Sequence, residues 1–243
     1  MAPDPRIRVI PETGSTNADL RALVASGWPD GQWLRAERQT AGRGRQGRNW
    51  ESPAGNLFAS TLIRLRPDDP SVAGLALVLG VAVHAGLAAL LPAASIRLKW
   101  PNDVMAGEAK LVGMLLEREG DGVIAGVGVN VTQAPPLPDR KTASLADLAG
   151  DRAPDAMQVL EAIMAALDHW LAVWRGEGMA AIVEAWCARA HPVGTRLAVR
   201  TGTGTDLPQQ GDFLGLDRDG ALILGLDDGT RAIIHSGDVG VLA

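Results

Sequence analysis

The sequence has little of what covalent or metal-dependent catalysis usually requires. Its 243 residues include one cysteine, Cys187, which permits neither an internal disulfide nor a cysteine metal cluster. The four histidines are scattered along the chain without the spacing of a zinc site. There is no serine nucleophile elbow and no Gly-x-x-x-x-Gly-Lys-Ser/Thr phosphate loop. Any chemistry must then come from positioning and electrostatics, which suits nucleotidyl transfer.

The chain also lacks an excess of positive charge and an apolar leader. It carries 23 Lys and Arg against 28 Asp and Glu, a formal net charge of -5. This balance argues against a general role in binding nucleic acids or membrane surfaces. The first residues, Met-Ala-Pro-Asp-Pro-Arg, contain no signal-peptide core. We therefore expect a cytoplasmic protein.

One apolar segment, residues 72–91, has about the length that spans a bilayer. It is rich in Ala and Gly, contains a histidine, and lacks flanking aromatic or basic residues. These features favour a helix buried against a sheet, where small residues allow close approach. We expect no membrane association.

A glycine-rich basic loop occupies residues 42–50, Gly-Arg-Gly-Arg-Gln-Gly-Arg-Asn-Trp. Its Gly-x-Gly-x-x-Gly pattern does not fit a dinucleotide fold, because Pro53 and Gly55 follow where a helix should begin. Three guanidinium groups on such a loop suit an anionic ligand, and each bidentate contact to phosphate could contribute roughly 1.5–3 kcal/mol. The alternative is an exposed basic loop without a ligand.

The hydrophobic pattern changes along the chain and predicts two domains, residues 1–190 and residues 191–243. The first part mixes predicted strands with predicted helices, and Gly120-Asp121-Gly122 indicates a hairpin turn between two of the strands. After residue 191 the chain has short apolar runs separated by Asp-Gly turns, which predict a small antiparallel barrel-like domain. The strands are expected at 6–11, 32–39, 56–65, 96–100, 110–119, 123–131, 196–200, 211–216, 221–226 and 231–235.

Several polar residues lie where strands are expected to end. Residues 15–17, Ser-Thr-Asn, precede a helical stripe, and Thr16 with Asp19 fits a helix cap as readily as a ligand site. Asn102 and Asp103 follow a strand in which Lys99 is expected to point outward, and they either turn the chain or face a cleft.

The strand at 123–131 carries a further set of unusual residues. Gly126 and Gly128 suggest close approach by a ligand or another backbone. Asn130 among valines is either a buried hydrogen-bonding group or a ligand contact.

Taken in order, these motifs resemble those of bacterial biotin–protein ligases. The resemblance rests on the loop at 42–50, Lys-Trp-Pro-Asn-Asp at 99–103, Lys-Leu-Val-Gly at 110–113 and Gly-Val-Gly-Val-Asn at 126–130, with Ser-Thr-Asn at 15–17 and Gln39 before them. It covers about residues 6–190. The C-terminal segment resembles the small SH3-like domain of that family. The resemblance implies an α+β fold in which a mixed sheet is flanked by helices, as in class II synthetases.

The resemblance also implies a two-step ligation and assigns roles to residues. Biotin and ATP give biotinyl-5′-AMP, and a lysine of the biotin carboxyl carrier protein then takes the biotin. The implied catalytic residues are Lys110, Arg45 and Arg48. The implied biotin-binding residues are Ser15, Thr16, Asn17, Gln39, Arg43, Gly44, Arg45 and Lys110. The implied ATP and adenylate contacts are Arg43, Arg45, Arg48, Trp50, Asn102, Asp103 and Asn130, with Asp103 a candidate Mg²⁺ ligand. Gly42, Gly47, Gly113 and Gly128 would shape the site.

The sequence departs from the family pattern in three places. Gln46 stands where many relatives have arginine, so the loop carries one charge fewer, and Met114 replaces a usual isoleucine. No helix-turn-helix pattern precedes Arg6, which leads us to expect no sequence-specific DNA binding. Relatives pair through sheet edges, so a homodimer is an expectation that one sequence cannot test.

Two rival functions are weighed against biotin ligation. A lipoate–protein ligase would share the fold and the outline of the chemistry, but the arginine-glycine loop and the Lys-Trp-Pro-Asn-Asp segment favour biotin. A non-enzymatic nucleic-acid-binding module would use the same loop, but it predicts a basic domain, which the acidic balance opposes.

Overall fold

The computed structural model describes residues 4–138, 140–201 and 207–242. The first three residues, on which the expectation of a chain without a leader partly rests, lie outside this part. Within it, five α-helices and twelve β-strands form an α+β fold with two sheets, which confirms the predicted fold class.

The larger sheet is mixed, as predicted. Its order is β1-β2-β3-β7-β6-β5-β4, with β1 and β2 parallel and every other neighbouring pair antiparallel. The parallel pair is joined by a helix, which is the connection that parallel strands need. The strands are β1 (Ile7–Thr13), β2 (Trp33–Gln39), β3 (Leu57–Arg64), β4 (Ile96–Lys99), β5 (Asp103–Ala106), β6 (Ala109–Glu119) and β7 (Gly122–Val129).

Helices cover both faces of this sheet, and the two faces differ in composition. On the main core face, Ala59, Ile63 and Val127 pack with the long helices, whereas Leu62 and Ile124 face a smaller apolar cluster under α1. The same α1-facing side of the sheet carries Gly126, since neighbouring residues of a strand alternate between faces. The helices are α1 (Thr16–Ala25), α2 (Leu75–Leu90), α3 (Leu145–Ala149), α4 (Ala156–Glu177) and α5 (Met179–Cys187).

Helix α2 is the buried helix that the sequence predicts. Val72–Leu90 and Ala156–Glu177 are both long and apolar enough to cross a membrane, and 61% and 33% of an apolar 18-residue stretch in each are buried inside the protein. A side chain at Gly86 would lie 3.0 Å from the backbone of Ala162 and Ile163, so glycine lets α2 and α4 pack closely. The apolar run is thus core, and its small residues serve helix packing.

The smaller sheet is antiparallel and contains one strand that the sequence did not predict. Its order is β11-β10-β9-β8-β12. The predicted turns at Asp219-Gly220 and Asp228-Gly229 lie between its strands, and both glycines have positive φ. The strands are β8 (Arg196–Arg200), β9 (Gln209–Leu216), β10 (Leu222–Gly225), β11 (Arg231–Ile234) and β12 (Asp238–Val241).

Two local predictions were wrong, and one pair of alternatives is decided by the structure. Lys99 is 8% exposed rather than outward-facing, because β12 of the smaller sheet covers that side of β4 and its Val239 carbonyl accepts a hydrogen bond from Lys99 Nζ at 3.0 Å. For Asn102 and Asp103 the sequence left open a turn or a position facing a cleft: Asn102 lies in a turn, Asp103 begins β5, and both line the cavity described below. Ser15, not Thr16, is the residue before α1, and its side chain makes no capping hydrogen bond.

Candidate active site

A cavity of about 310 Å³ lies on the α1-facing side of the larger sheet. Its floor comes from β6 and β7, and its walls come from the start of α1, the loop at 42–50, residues 137, 138 and 140, and the start of β12. Five cationic side chains and two carboxylates line it, so its electrostatic character is cationic. The structure brings most of the predicted site residues to this cavity: Ser15, Thr16, Asn17, Gln39, Arg43, Gly44, Arg45, Arg48, Trp50, Asn102, Asp103, Lys110, Gly113 and Gly128.

The floor is built from a pair of glycines beneath a tryptophan. Gly113 of β6 lies opposite Gly128 of β7. A Cβ atom at either position would lie 2.7 Å from the indole ring of Trp50. Both glycines are therefore required by the close approach of that ring. The sequence predicted that a ligand or another backbone would approach Gly128, whereas the structure places the Trp50 side chain there. Lys110 Nζ lies 5.4 Å from the centre of the same ring.

A hydrogen-bonded polar corner closes one end of the cavity. Gln39 Oε1 accepts from the backbone N–H of Thr16 at 2.8 Å, and Gln39 Nε2 donates to Ser52 Oγ at 3.2 Å. The hydroxyl of Ser60, which is fully buried, lies 2.7 Å from Thr16 Oγ1 and 2.6 Å from Asn17 Oδ1. These contacts hold uncharged hydrogen-bond donors and acceptors in place at one end of the cavity. The residues that they join, among them Thr16, Asn17 and Gln39, carry no charge.

Two lysines share one buried carboxylate at the base of the cavity. Lys110 Nζ lies 2.7 Å from Asp103 Oδ1, and Lys99 Nζ lies 3.1 Å from Asp103 Oδ2. The three side chains are between 7% and 13% exposed. The cluster has one more positive than negative charge, and Lys110 is the member of the lysine pair that lines the cavity.

Burial and pairing act against each other in this cluster. Burial alone would raise the pKa of Asp103, but Lys110 and Lys99 outweigh it, so the pKa of this carboxyl lies below its ordinary value. Burial lowers the pKa of Lys110, and Asp103 only partly offsets that effect. Asp103 therefore keeps Lys110 charged in a place where an unpaired ammonium would be costly.

The arginine loop contacts the smaller sheet as well as the larger one. Arg45 Nη1 donates to Asn102 Oδ1 at 3.1 Å and to the Gly237 carbonyl at 3.3 Å. Arg48 Nη1 lies 3.1 Å from Asp238 Oδ2. The start of β12 thus holds two of the three loop arginines over the cavity.

Three predicted site residues do not line the cavity. Gly42 lies where a Cβ would meet Ser52 Oγ at 2.8 Å and Gln39 Nε2 at 2.9 Å, so it allows the loop to approach the polar corner. Gly47 has φ +72° in the loop turn, a conformation that favours glycine. Asn130 is buried, and its Nδ2 donates to the Ala143 carbonyl at 3.1 Å.

Asp103 does not fit the role of a resident Mg²⁺ ligand. Both of its carboxylate oxygens already lie within 3.1 Å of lysine ammonium groups. Among the described residues, no group of three or more His, Cys, Asp or Glu side chains could hold a metal ion. Mg²⁺ in nucleotide sites is commonly held by one or two carboxylates and by the substrate phosphates, whereas each oxygen of Asp103 is already paired with a lysine ammonium.

Several functional candidates were missed by sequence reasoning. Asp238 and Arg140 line the cavity but lie outside the recognised motifs. Because both are far from the loop in sequence, no local pattern predicted that they would lie beside it. Glu117 of β6 accepts a hydrogen bond from Asn17, a contact that the strand pattern at 110–119 did not indicate. Ser60 lies in the middle of β3, a largely apolar strand, and its hydroxyl is buried. A serine within this apolar stretch was the one feature of the sequence that could have indicated a functional hydrogen bond there.

Comparison with known proteins places the chain among ligases. The chain matches the biotin/lipoate A/B protein ligase family over residues 8–133 and the biotin protein ligase C terminal domain over residues 197–241. It is 39% identical to the biotin–[acetyl-CoA-carboxylase] ligase of Mycobacterium tuberculosis, over 96% of this chain and 88% of that protein. It is 34% identical to the bifunctional ligase/repressor BirA of Bacillus subtilis, over 93% of this chain and 70% of that protein.

A solved structure is similar along nearly its whole length. The biotin protein ligase from Aquifex aeolicus, in complex with biotin and ATP, superimposes with a TM-score of 0.84 at 28% sequence identity. The match covers 98% of this chain and 100% of that one, so both sheets have counterparts there.

Proposed function

The chain belongs to the biotin/lipoate A/B protein ligase family, and on this premise we propose how its cavity performs the reaction. It is a biotin–protein ligase that uses biotin and ATP. The observation that carries the mechanism is the pairing of a neutral hydrogen-bonding corner with a strongly cationic end in one cavity. Biotin has the matching chemistry, a neutral ureido head and an anionic carboxylate tail.

In the first step a carboxylate oxygen of biotin attacks the α-phosphorus of ATP. A P–O bond forms, the bond to the β-phosphate breaks, and pyrophosphate leaves with the electron pair. Negative charge on the α-phosphate oxygens rises in the transition state, and fixed cations stabilise it without reorganising. Lys110, held by Asp103 at 2.7 Å, is placed for this role, with Arg45 and Arg48 as further cations.

The polar corner is proposed to hold the ureido head. Thr16, Asn17 and Gln39 belong to one hydrogen-bonded set there, and Ser15 lines the same end. Fixing the head places the carboxylate toward the cationic end, which converts a collision into a positioned reaction. Trp50, lying flat on the two floor glycines, forms an apolar wall beside Lys110.

In the second step the ε-amine of a carrier lysine attacks the acyl carbon of biotinyl-5′-AMP. An amide forms, the amine loses a proton, and AMP leaves. An acyl-adenylate hydrolyses when water reaches it, so a covering loop has a clear purpose. We propose the biotin carboxyl carrier protein of acetyl-CoA carboxylase as the acceptor. Incubation with biotin, ATP and that carrier should add one biotin to a single carrier lysine, as read by mass spectrometry, and the carrier with that lysine replaced should stay unmodified.

Arg45 links the loop to the smaller sheet, which leads to a prediction. Arg45→Ala is expected to speed release of labelled biotinyl-5′-AMP by about tenfold or more, because a charge-assisted contact to the adenylate contributes roughly 1.5–3 kcal/mol. Its melting temperature should change little, since Arg45 is half-buried and, within the described part of the chain, the hydrogen bonds of its side chain go to Asn102 and the Gly237 carbonyl. Adenylate retention equal to that of the unaltered protein would refute the role.

We propose that the domain boundary lies near residue 190, supported by the confinement of the smaller sheet to strands after that point. We propose that Mg²⁺ enters as the ATP complex, bound through phosphate oxygens. Homodimerisation, the absence of sequence-specific DNA binding, the SH3-like character of the C-terminal domain and a cytoplasmic location stay predictions.

A further inference from the structure

The side-chain amide of Asn17 has both of its protons committed to protein acceptors. Its Nδ2 donates to Glu117 Oε2 at 2.7 Å and lies 3.4 Å from the Leu115 carbonyl. An amide nitrogen carries two protons and no lone pair for accepting. Asn17 therefore has no donor left for a ligand.

The amide oxygen of Asn17 is the part that remains available to a ligand. It accepts from Ser60 Oγ at 2.6 Å, and it lies so close to Gly126 that a Cβ there would collide with it. Asn17 and Gly126 both line the cavity. A carbonyl oxygen has two lone pairs, so after Ser60 one acceptor site remains. The ligand end of Asn17 can accept a hydrogen bond but cannot donate one.

Glu117 decides this polarity. An ionised carboxylate only accepts, so the atom of Asn17 that faces it must be the NH₂ group. The carboxylate is itself fixed, because Glu117 Oε1 lies 2.8 Å from Arg21 Nη2, and Arg21 Nε lies 2.8 Å from Glu119 Oε2. Burial alone would raise the pKa of Glu117, but Asn17, Arg21 and Arg43 bring it below its ordinary value, so the group is ionised at neutral pH.

We propose that Glu117 is a positioning residue that sets the hydrogen-bond polarity of Asn17 and so selects a ligand head that offers an N–H donor. The inference rests on the proposed function and deepens it. A ureido ring offers two N–H donors, whereas the dithiolane ring of lipoate offers none and would leave the Asn17 oxygen unpaired. Sites built around a ligand hydrogen bond reject analogues that lack it far more strongly than apolar pockets reject a size change.

The first test replaces Glu117 by glutamine, which is isosteric and can donate. Glu117→Gln frees Asn17 to flip and present NH₂ to the cavity. The KM for biotin should rise about tenfold or more, with kcat and the KM for ATP unchanged, because the lost contact to biotin is made equally in the ground state and in the transition state. Inhibition by lipoate relative to biotin should increase. The matched control is Glu119→Gln, which removes the outer partner of Arg21 without touching Asn17 and should keep the KM for biotin.

A second pair of variants keeps the idea testable if Glu117→Gln alters folding. Asn17→Asp places a second carboxylate against Glu117 and should abolish measurable biotin binding. With Glu117→Gln added, the glutamine NH₂ group can donate a hydrogen bond to one oxygen of the carboxylate introduced at position 17. The other carboxylate oxygen can then still accept from Ser60 and from the ligand. The double variant should therefore bind biotin better than Asn17→Asp alone, a non-additive result.

The outcomes separate this inference from the proposed function. Absence of biotin-dependent pyrophosphate exchange in the unaltered protein overturns both. Biotin-dependent exchange with an unchanged KM for biotin in Glu117→Gln overturns this inference alone. A double variant that binds no better than Asn17→Asp does the same.

Discussion

Replacing Lys110 by alanine is expected to lower the rate of biotinyl-5′-AMP formation by roughly 10²–10³-fold, the range seen when one preorganised charge-stabilising donor is removed. Lys110 is the cavity-lining ammonium, and Asp103 holds it at 2.7 Å. Because charge also develops on the leaving AMP, transfer from added biotinyl-5′-AMP should fall as well. Single-turnover measurements of each step with labelled biotin would give both rates.

The control for Lys110→Ala is another lysine that pairs with a carboxylate at the same distance. Lys141 Nζ lies 2.7 Å from Glu108 Oε2, but the two side chains are 75% and 66% exposed. Lys141→Ala should leave both rates unchanged. Lys110→Ala should remain folded, since Asp103 keeps Lys99 as a partner. An unchanged rate of adenylation in the folded variant would remove Lys110 from the mechanism.

Replacing Asp103 by asparagine is expected to lower the free energy of unfolding by about 3–5 kcal/mol, the cost of removing one partner from a buried ion pair. The change leaves Lys99 and Lys110 facing each other in a buried site with no carboxylate between them. Urea unfolding at neutral pH would measure the loss. Adenylation should fall too, because Lys110 then loses the group that keeps it charged and in place.

The acid dependence of stability gives a second readout for Asp103. Its pKa in the folded protein lies below the ordinary value of 3.8. The unfolded chain therefore binds the proton first, and this part of the stability is present above pH 3.8 and is lost as the pH falls through the lower folded pKa. Asp103→Asn should lack this loss. Glu108→Gln, in the exposed pair, should unfold like the unaltered protein, and equal stability of both variants would contradict the account.

The site could be predicted where its residues lie in short local motifs. The arginines and the tryptophan of the loop at 42–50, Lys110 with Gly113, and Gly128 line the cavity, because the loop and the paired strands β6 and β7 carry them there. Local patterns also gave the hairpin between β6 and β7 and the buried helix α2.

The features that the sequence did not reveal depend on contacts between distant segments. Lys99 alternates as expected along β4, but the side expected to face water is covered by β12, a four-residue strand with a central glycine that gave no clear pattern. Asp238 reaches Arg48 across 190 positions. Glu117 bonds Asn17 across 100 positions, and no periodicity of β6 encodes that partner.

The measurement that tests the central claim most directly is ATP–pyrophosphate exchange with biotin, with lipoate and with neither. We predict exchange that depends on biotin, because the cavity pairs a neutral polar corner for the ureido ring with cations for the carboxylate and phosphates. Exchange that depends on lipoate instead would keep the chemistry but contradict the proposed fit of the corner. No exchange with either acid, from folded protein with Mg²⁺ and ATP, would contradict the adenylation mechanism itself.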